Sequence, residues 1–326
     1  MKNNFDIIFY CDSNQYTGFG HASRCSRLSV ILKKLKKKLR IGVIGNISPK
    51  SKLLMLKSNK NLIFIENQYS VNSRIAFIDK MFDYEDPNVL DKKFLLLVKK
   101  KSDVVIVMFS GIYLKSAQND IIYIGYQPVK KNYRNKNILW DLSFAPTQIS
   151  KLKIIPRRKN CFFLALGGNQ SNTEIKKLIQ VINLIEQVKY LEILVSPVNK
   201  NINLDDISIR NNLKLTFISN VKNLSPYLLK STLVISSFGN LCYEAIAHKT
   251  PTIIVAQKKF QAKYAELLER ENNVYSLGFP SAQKLIDLKL KIIDFWEGIN
   301  TKENQKRSCI SLNGLQNIAD IIKGHL

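Results

Sequence analysis

The chain has 326 residues, a formal net charge of +25 and an apolar fraction of 45%, which is long enough for two domains and too apolar for a disordered chain. No apolar run reaches the roughly eighteen residues that span a bilayer, and the start Met1-Lys-Asn-Asn-Phe-Asp lacks a signal-peptide segment, so the expected location is the cytoplasm. Five cysteines without close pairs (Cys11, Cys25, Cys161, Cys242 and Cys309) and three histidines indicate neither a disulfide framework nor a metal site.

The first informative stretch is an apolar run from Ile7 to Cys11 that ends in Asp12, then Gly18-Phe-Gly-His21 and a helix pattern through Cys25, Leu28, Leu32, Leu35 and Leu39. A strand, glycine turn and helix present the first backbone N–H groups of the helix to an anion, and missing Cβ atoms let it come close. His21 then sits at the helix mouth and Arg24 one turn on. A dinucleotide fingerprint would need a third glycine where Ser23 stands and an acid about twenty positions later. Lys33 to Arg40 follow instead, so no nicotinamide cofactor is expected, nor any other. Read alone, Gly-x-Gly-His also fits a buried turn whose histidine merely ends a helix; a matching second half favours the anion site.

Strands are expected at Arg40–Gly45, Leu62–Ile65, Arg74–Asp79, Val104–Phe109, Ile121–Gly125 and Leu142–Phe144, with helices at Ser51–Lys57 and Pro87–Lys100. Alternating βα units imply a parallel sheet covered on both faces. Pro146 to Lys159, with two prolines and a basic run, reads as a linker between an N-terminal domain, 1–147, and a C-terminal domain, 158–326, whose final helix is a candidate to pack back on the first.

The second half opens with the strand from Cys161, Gly167-Gly168 and a helix from Thr173 to Gln187. Strands at Leu191–Val195 and Leu213–Ile218 and a helix at Leu224–Lys230 follow. The strand Leu233–Ser236 delivers Ser237, Gly239 and Asn240 to a helix that carries Glu244. Small residues and free N–H groups suit phosphate, and Glu244 can accept hydrogen bonds from ribose hydroxyls or stand as a solvated helix carboxylate. His248 reads as a helix C-terminal residue and Gln261 opens the next helix. The architecture expected is α/β, two Rossmann-like domains facing across a cleft and suited to a nucleotide diphosphate.

The charge has three readings: solvated surface, contact with the inner membrane face, or nucleic acid. The lysines are dispersed and lack interleaved aromatics, so nucleic acid is the least favoured.

Asp12 through Gly18-Phe-Gly-His21 to Arg24-Cys25, Gly167-Gly168, and Ser237-x-Gly239 with Glu244, Pro251 and Gln261 resemble the nucleotide-sugar enzymes of the two-Rossmann-domain, GT-B type. Within these the chain looks most like the UDP-sugar hydrolase of the pseudaminic acid pathway and its relatives in polysaccharide gene clusters. The resemblance implies His21 as the base, Glu244 as ribose ligand, Ile218 to Val221 as a base-binding edge, and Gly239 and Asn240 against the diphosphate. Asp12, Gly18, Gly20, Arg24, Gly167, Gly168, Ser237 and Gln261 complete the substrate site. The chain departs from the hydrolase at Phe260, where the family has asparagine, and at Asp79-Lys80-Met81, where it has Asp-x-Tyr; Tyr10 replaces an arginine. Expected first is therefore a UDP-sugar hydrolase of surface polysaccharide or nonulosonic acid biosynthesis. A glycosyltransferase with a sugar or lipid-linked acceptor is the alternative, and a non-catalytic nucleotide-sugar binder the second.

Overall fold

A computed structural model describes residues 4–14, 17–66, 71–83, 86–111, 114, 117–128, 135–147, 155–167, 172–195, 202, 204–219, 221, 223–269, 274–299 and 310–326. Gly168, Asn220, Cys309 and the middle of the Pro146–Lys159 segment lie outside these. The chain divides into two compact units, Met1–Gln148 with Asn313–Leu326, and Ile149–Leu312.

The first unit is built from β1 (Phe5–Cys11), α1 (Gly20–Leu35), β2 (Ile41–Ile44), α2 (Pro49–Ser58), β3 (Ile63–Phe64), β4 (Ser73–Asp79), α3 (Lys92–Lys99), β5 (Ser102–Phe109), β6 (Ile121–Gly125) and β7 (Ile138–Trp140). Its sheet order is β3-β2-β1-β4-β5-β6-β7 and every pair is parallel. The central strands are buried along nearly their whole length because helices cover both faces, which is why β1 and β4 read as continuous apolar runs rather than alternating ones.

The second unit repeats the plan with β8 (Cys161–Ala165), α4 (Asn172–Asn183), β9 (Tyr190–Leu194), β10 (Lys214–Ile218), α5 (Ser225–Lys230), β11 (Leu233–Ser237), α6 (Asn240–Ala247), β12 (Thr252–Val255), α7 (Lys259–Glu269), β13 (Val274–Gly278) and α8 (Leu285–Ile299). Its order is β10-β9-β8-β11-β12-β13, again all parallel. Phe162 meets Trp296 of α8 edge to face at 4.9 Å, which ties that helix to the core of this unit. Both sheets thus have the doubly wound order in which the chain turns outward in opposite directions from two neighbouring central strands.

Several sequence expectations are corrected. Leu142–Phe144 is a 3-10 turn, capped by Asp141, whose carboxylate accepts from the Ser143 N–H at 2.7 Å; the strand is Ile138–Trp140. The helix expected from Pro87 begins at Lys92. Asp91 caps it by accepting from the Phe94 N–H, while Asp86 holds a separate turn through the Asn88 N–H. The helix expected to reach Gln187 stops at Asn183, where the last turn tightens into i to i+3 bonds and Asn183 bonds the Ser208 carbonyl and the Arg210 N–H. The strand β13 and the helix α8 were not expected, although Asn272-Asn273 and Gly278-Phe-Pro280 flank that strand with turn residues.

The last helix, α9 (Gly314–Gly324), belongs to the first unit and packs on α1 with Leu315, Ile318, Ala319 and Ile322 buried. The Leu315 N–H bonds the Thr147 carbonyl at 3.0 Å and Asn317 Nδ2 the Ser143 carbonyl at 2.8 Å. This close docking requires Gly314, since a Cβ there would stand 1.6 Å from the Ala145 carbonyl oxygen. Gly314→Ala is therefore expected to destabilise the protein by about 2 kcal/mol or more through forced overpacking. Gly324→Ala, which meets nothing within 4 Å, leaves thermal unfolding unchanged or raises it slightly.

Candidate active site

In the first sheet β1 and β4 lie side by side with Cys11 opposite Asp79, and the chain leaves β1 toward β2 but β4 toward β5. The loops part here, at the kind of switch point outside the strand carboxyl ends where doubly wound folds bind ligands. His21 and Asp79 both occupy this point.

Asp79 is fully buried among His21, Arg24 and Cys25, whose Sγ lies 3.9 Å from Oδ2. His21 Nδ1 lies 2.7 Å from its Oδ1, Arg24 Nε donates to Oδ2 at 2.8 Å, and Arg24 Nη2 donates to Oδ1 at 2.6 Å. Arg24 Nη1 also donates to the Tyr126 hydroxyl at 3.2 Å. Burial alone would raise the Asp79 pKa, but the Arg24 charge, the His21 ring and their hydrogen bonds outweigh it and hold the carboxyl well below the usual range. Burial likewise opposes the Arg24 charge, and Asp79 more than restores it.

His21 Nδ1 lies 2.7 Å from Asp79 Oδ1, which when ionised can only accept, and 2.9 Å from Arg24 Nη2, which can only donate; the shorter carboxylate contact favours the ring proton on Nδ1 and a lone pair on Nε2. Nε2 makes no hydrogen bond to any other described residue, and the side chain keeps 9% of its surface exposed. This arrangement makes Nε2 the basic atom of the site. Asp79 escaped the sequence assignment because 58 residues separate it from His21; the available signal was a buried strand ending in an acid.

The neighbouring expected residues make contacts within the protein. Both Asp12 oxygens are engaged inside the protein, Oδ1 by the Asn46 N–H at 2.8 Å and Oδ2 by Lys80 Nζ at 3.1 Å, so Asp12 ties together the ends of β1, β2 and β4. Gly18 has φ 65, and its carbonyl accepts from Ser13 Oγ. Gly20 opens α1, whose cap position, Phe19, supplies no side-chain bond.

In the second unit the switch point lies between β8 and β11. It brings Gly167, with φ 85, beside Ser237, whose hydroxyl donates to the Leu166 carbonyl at 2.9 Å. Gly239 is extended and has open space where a Cβ would stand, so the fold itself does not require glycine there and the position leaves room against the start of α6. Asn240 is the first residue of that helix and Glu244, half-buried, lies one turn in. The side chains of Ile218 and Val221 pack with Phe163 and Leu228, so contact with a base would fall to their backbone.

Gln261 acts as a clip. Its Oε1 accepts from the Gln257 and Lys258 N–H groups at 2.8 and 3.1 Å, and its Nε2 donates to the Phe238 carbonyl at 3.4 Å, fixing the loops after β11 and β12. Gln257 reaches the Leu166 carbonyl at 3.5 Å and hydrogen-bonds Glu174, whose pKa is raised by burial and partly brought back by that bond. Glu174 and Gln257 are further polar residues at this point that the sequence did not single out. Phe260 packs on Tyr264 at 5.6 Å. His248 caps the end of α6 and its pKa is lowered by burial, which disfavours the charged form that the helix dipole would otherwise favour. The described cysteines are buried and unbridged, and among the described residues no three His, Cys, Asp or Glu side chains gather as metal ligands.

No family model matches the chain and no curated protein matches it in sequence. Solved structures do match over nearly the whole length. A glycosyltransferase from Rickettsia africae is 14% identical with TM-score 0.54, covering 99% of both chains. CalG4, the calicheamicin glycosyltransferase, is 11% identical with TM-score 0.56, covering 100% of this chain and 99% of its own. S. aureus MnaA in its structure with UDP is 10% identical with TM-score 0.53, covering 98% and 96%. At these identities the likeness establishes the fold, two Rossmann-like domains of the GT-B type.

Asp79→Asn is expected to cost about 3–5 kcal/mol by leaving the Arg24 charge buried without its counterion. The acid limb tests the same contact. With the native carboxyl below its unfolded value of about 4, the unfolded chain binds more protons in that range, so stability present at higher pH is lost as pH falls below about 4. Thermal unfolding followed against pH should show a shallower acid decline in Asp79→Asn than in the wild type.

Proposed function

We propose that the protein is a glycosyltransferase that moves a sugar from a nucleoside diphosphate donor, UDP in the first instance, to an acceptor hydroxyl. The observation that carries this reading is the His21 ring fixed by Asp79 with its basic Nε2 left unbonded at a topological switch point. Support for transfer over hydrolysis comes from the glycosyltransferases among the whole-length structural matches.

In the proposed step Nε2 takes the proton of the acceptor hydroxyl as its oxygen attacks the anomeric carbon. The bond from that carbon to the β-phosphate oxygen breaks, and the nucleoside diphosphate leaves with the electron pair. An imidazole suits the task because its unperturbed pKa lies near neutrality, and Asp79 stabilises the imidazolium that forms. Gly167, Gly239 and Asn240 are assigned to the diphosphate and Glu244 to the ribose. Backbone N–H groups at the start of α6 stabilise the charge that develops on the leaving group. Gln261 and Ser237 are assigned to positioning these loops rather than to contact with substrate.

Hydrolysis is the second reading, motivated by the Gly18-Phe-Gly-His21 resemblance; water then replaces the acceptor and the proton transfer is the same.

Turnover of UDP- and CMP-sugars with and without sugar or lipid-linked acceptors decides between them. Release that waits for acceptor supports transfer, and free sugar released without it supports hydrolysis. His21→Ala is expected to lower turnover about 10²- to 10⁴-fold while UDP affinity measured by calorimetry is unchanged. Glu244→Gln is expected to weaken UDP binding about tenfold through loss of a charge-assisted hydrogen bond. Bound UDP with no turnover of any sugar would point to a non-catalytic binder, and absence of both would remove the proposal.

A further inference from the structure

Because every strand of the first sheet is parallel, α1, α2 and α3 must run back against the strands, so their C-termini gather at the edge opposite the strand ends that carry His21 and Asp79. The contact of Lys36 Nζ with the Leu326 carbonyl at 3.2 Å places the end of α9 there too. All four helices carry lysine in their last turn. Such lysines complement the helix dipoles, but the basic run extends past what a dipole uses. From Lys33 to Arg40 every residue is basic except Leu35 and Leu39, and Lys36, Lys37, Lys38 and Arg40 stand exposed beyond the end of α1. Lys60 follows α2, and Lys100 and Lys101 follow α3. The described acids at this edge, among them Asp6, Asp103, Asp120 and Asp320 of α9, are few by comparison; Asp120 pairs with Lys99 and Asp6 accepts the Arg40 N–H.

Two exposed apolar side chains accompany the lysines. Leu35, between Lys34 and Lys36, is 37% exposed, and Leu53, one turn before Lys57 on the same face of α2, is 61% exposed. Leucine set among lysines fits an interface of anionic headgroups over hydrocarbon, where the charges meet the lipid phosphates and the apolar side chains reach the acyl boundary. Nucleic acid would instead call for planar or aromatic side chains that stack on or read bases, and Arg40 is the single such group in the run from Lys33. We propose that this helix-end edge of the first unit is a docking face for an anionic lipid bilayer.

The test is co-sedimentation of the full chain with vesicles of phosphatidylcholine alone or of an equimolar mixture with phosphatidylglycerol, at low and high salt. The wild type is expected to sediment with the mixed vesicles, not the neutral ones, and to be released by salt. The variant Lys36→Glu/Lys37→Glu/Lys38→Glu should lose partitioning at least about tenfold. Leu35→Ser/Leu53→Ser should weaken it with the charge untouched. Both variants should keep the wild-type melting temperature. Equal binding to both vesicle types, or an unaffected triple variant, would overturn the proposal. So would binding to duplex DNA with the same lysine dependence and no effect of the leucine changes. None of these readouts involves a sugar nucleotide, so failure here leaves the proposed activity standing, and the reverse holds.

Discussion

A single buried carboxylate organises the first unit's functional end. Asp79 closes β4 with no exposed surface and still remains ionised, because the Arg24 guanidinium meets it through two nitrogens and the His21 ring through a third. The same charge does two things. It makes burial of Arg24 tolerable, which pins the second turn of α1 to the sheet. It also favours the proton of His21 on Nδ1. Structure and proposed chemistry are coupled at that atom pair, since the contact that anchors the helix also aims the base.

The second unit has its own buried carboxylate, Glu192 of β9, paired with Lys230 at 2.6 Å. Its switch point is assembled from small residues and amide side chains: Gly167 beside Ser237, Gly239 in open space, and Gln261 holding two loops through three backbone contacts. Backbone-rich surroundings of this kind suit a ligand that carries its own negative charge, because N–H donors can be preorganised without a cation to desolvate. The contrast between the two ends follows the division of labour proposed for them, proton transfer at one and diphosphate recognition at the other.

The parallel α/β architecture was legible in the sequence because buried central strands such as Ile75–Ile78 are apolar on both faces and glycine turns follow β1 and β8. What was not legible came from two sources. Short polar-edged elements such as Ile138–Trp140 lack periodicity long enough to recognise, and cap chemistry at Asp91 and Asn183 moved helix ends by several residues. Long-range pairing was the other. Arg24 read as a residue facing an anion and Asp12 as a ligand, whereas the fold gives the first to Asp79 and Tyr126 and the second to Asn46 and Lys80. Residue type and spacing pointed to Asp12, His21 and Arg24 beyond the end of β1. Only the β1–β4 adjacency shows what each one touches.

Nitrogen-15 NMR of the imidazole rings, with His248→Gln and His325→Gln used to isolate the His21 signals, reads the state of that ring directly. The expected result is the Nδ1–H tautomer for the neutral His21 ring in the wild type and a shift toward the opposite tautomer in Asp79→Asn. A His21 ring carrying its proton on Nε2 in the wild-type protein would contradict it.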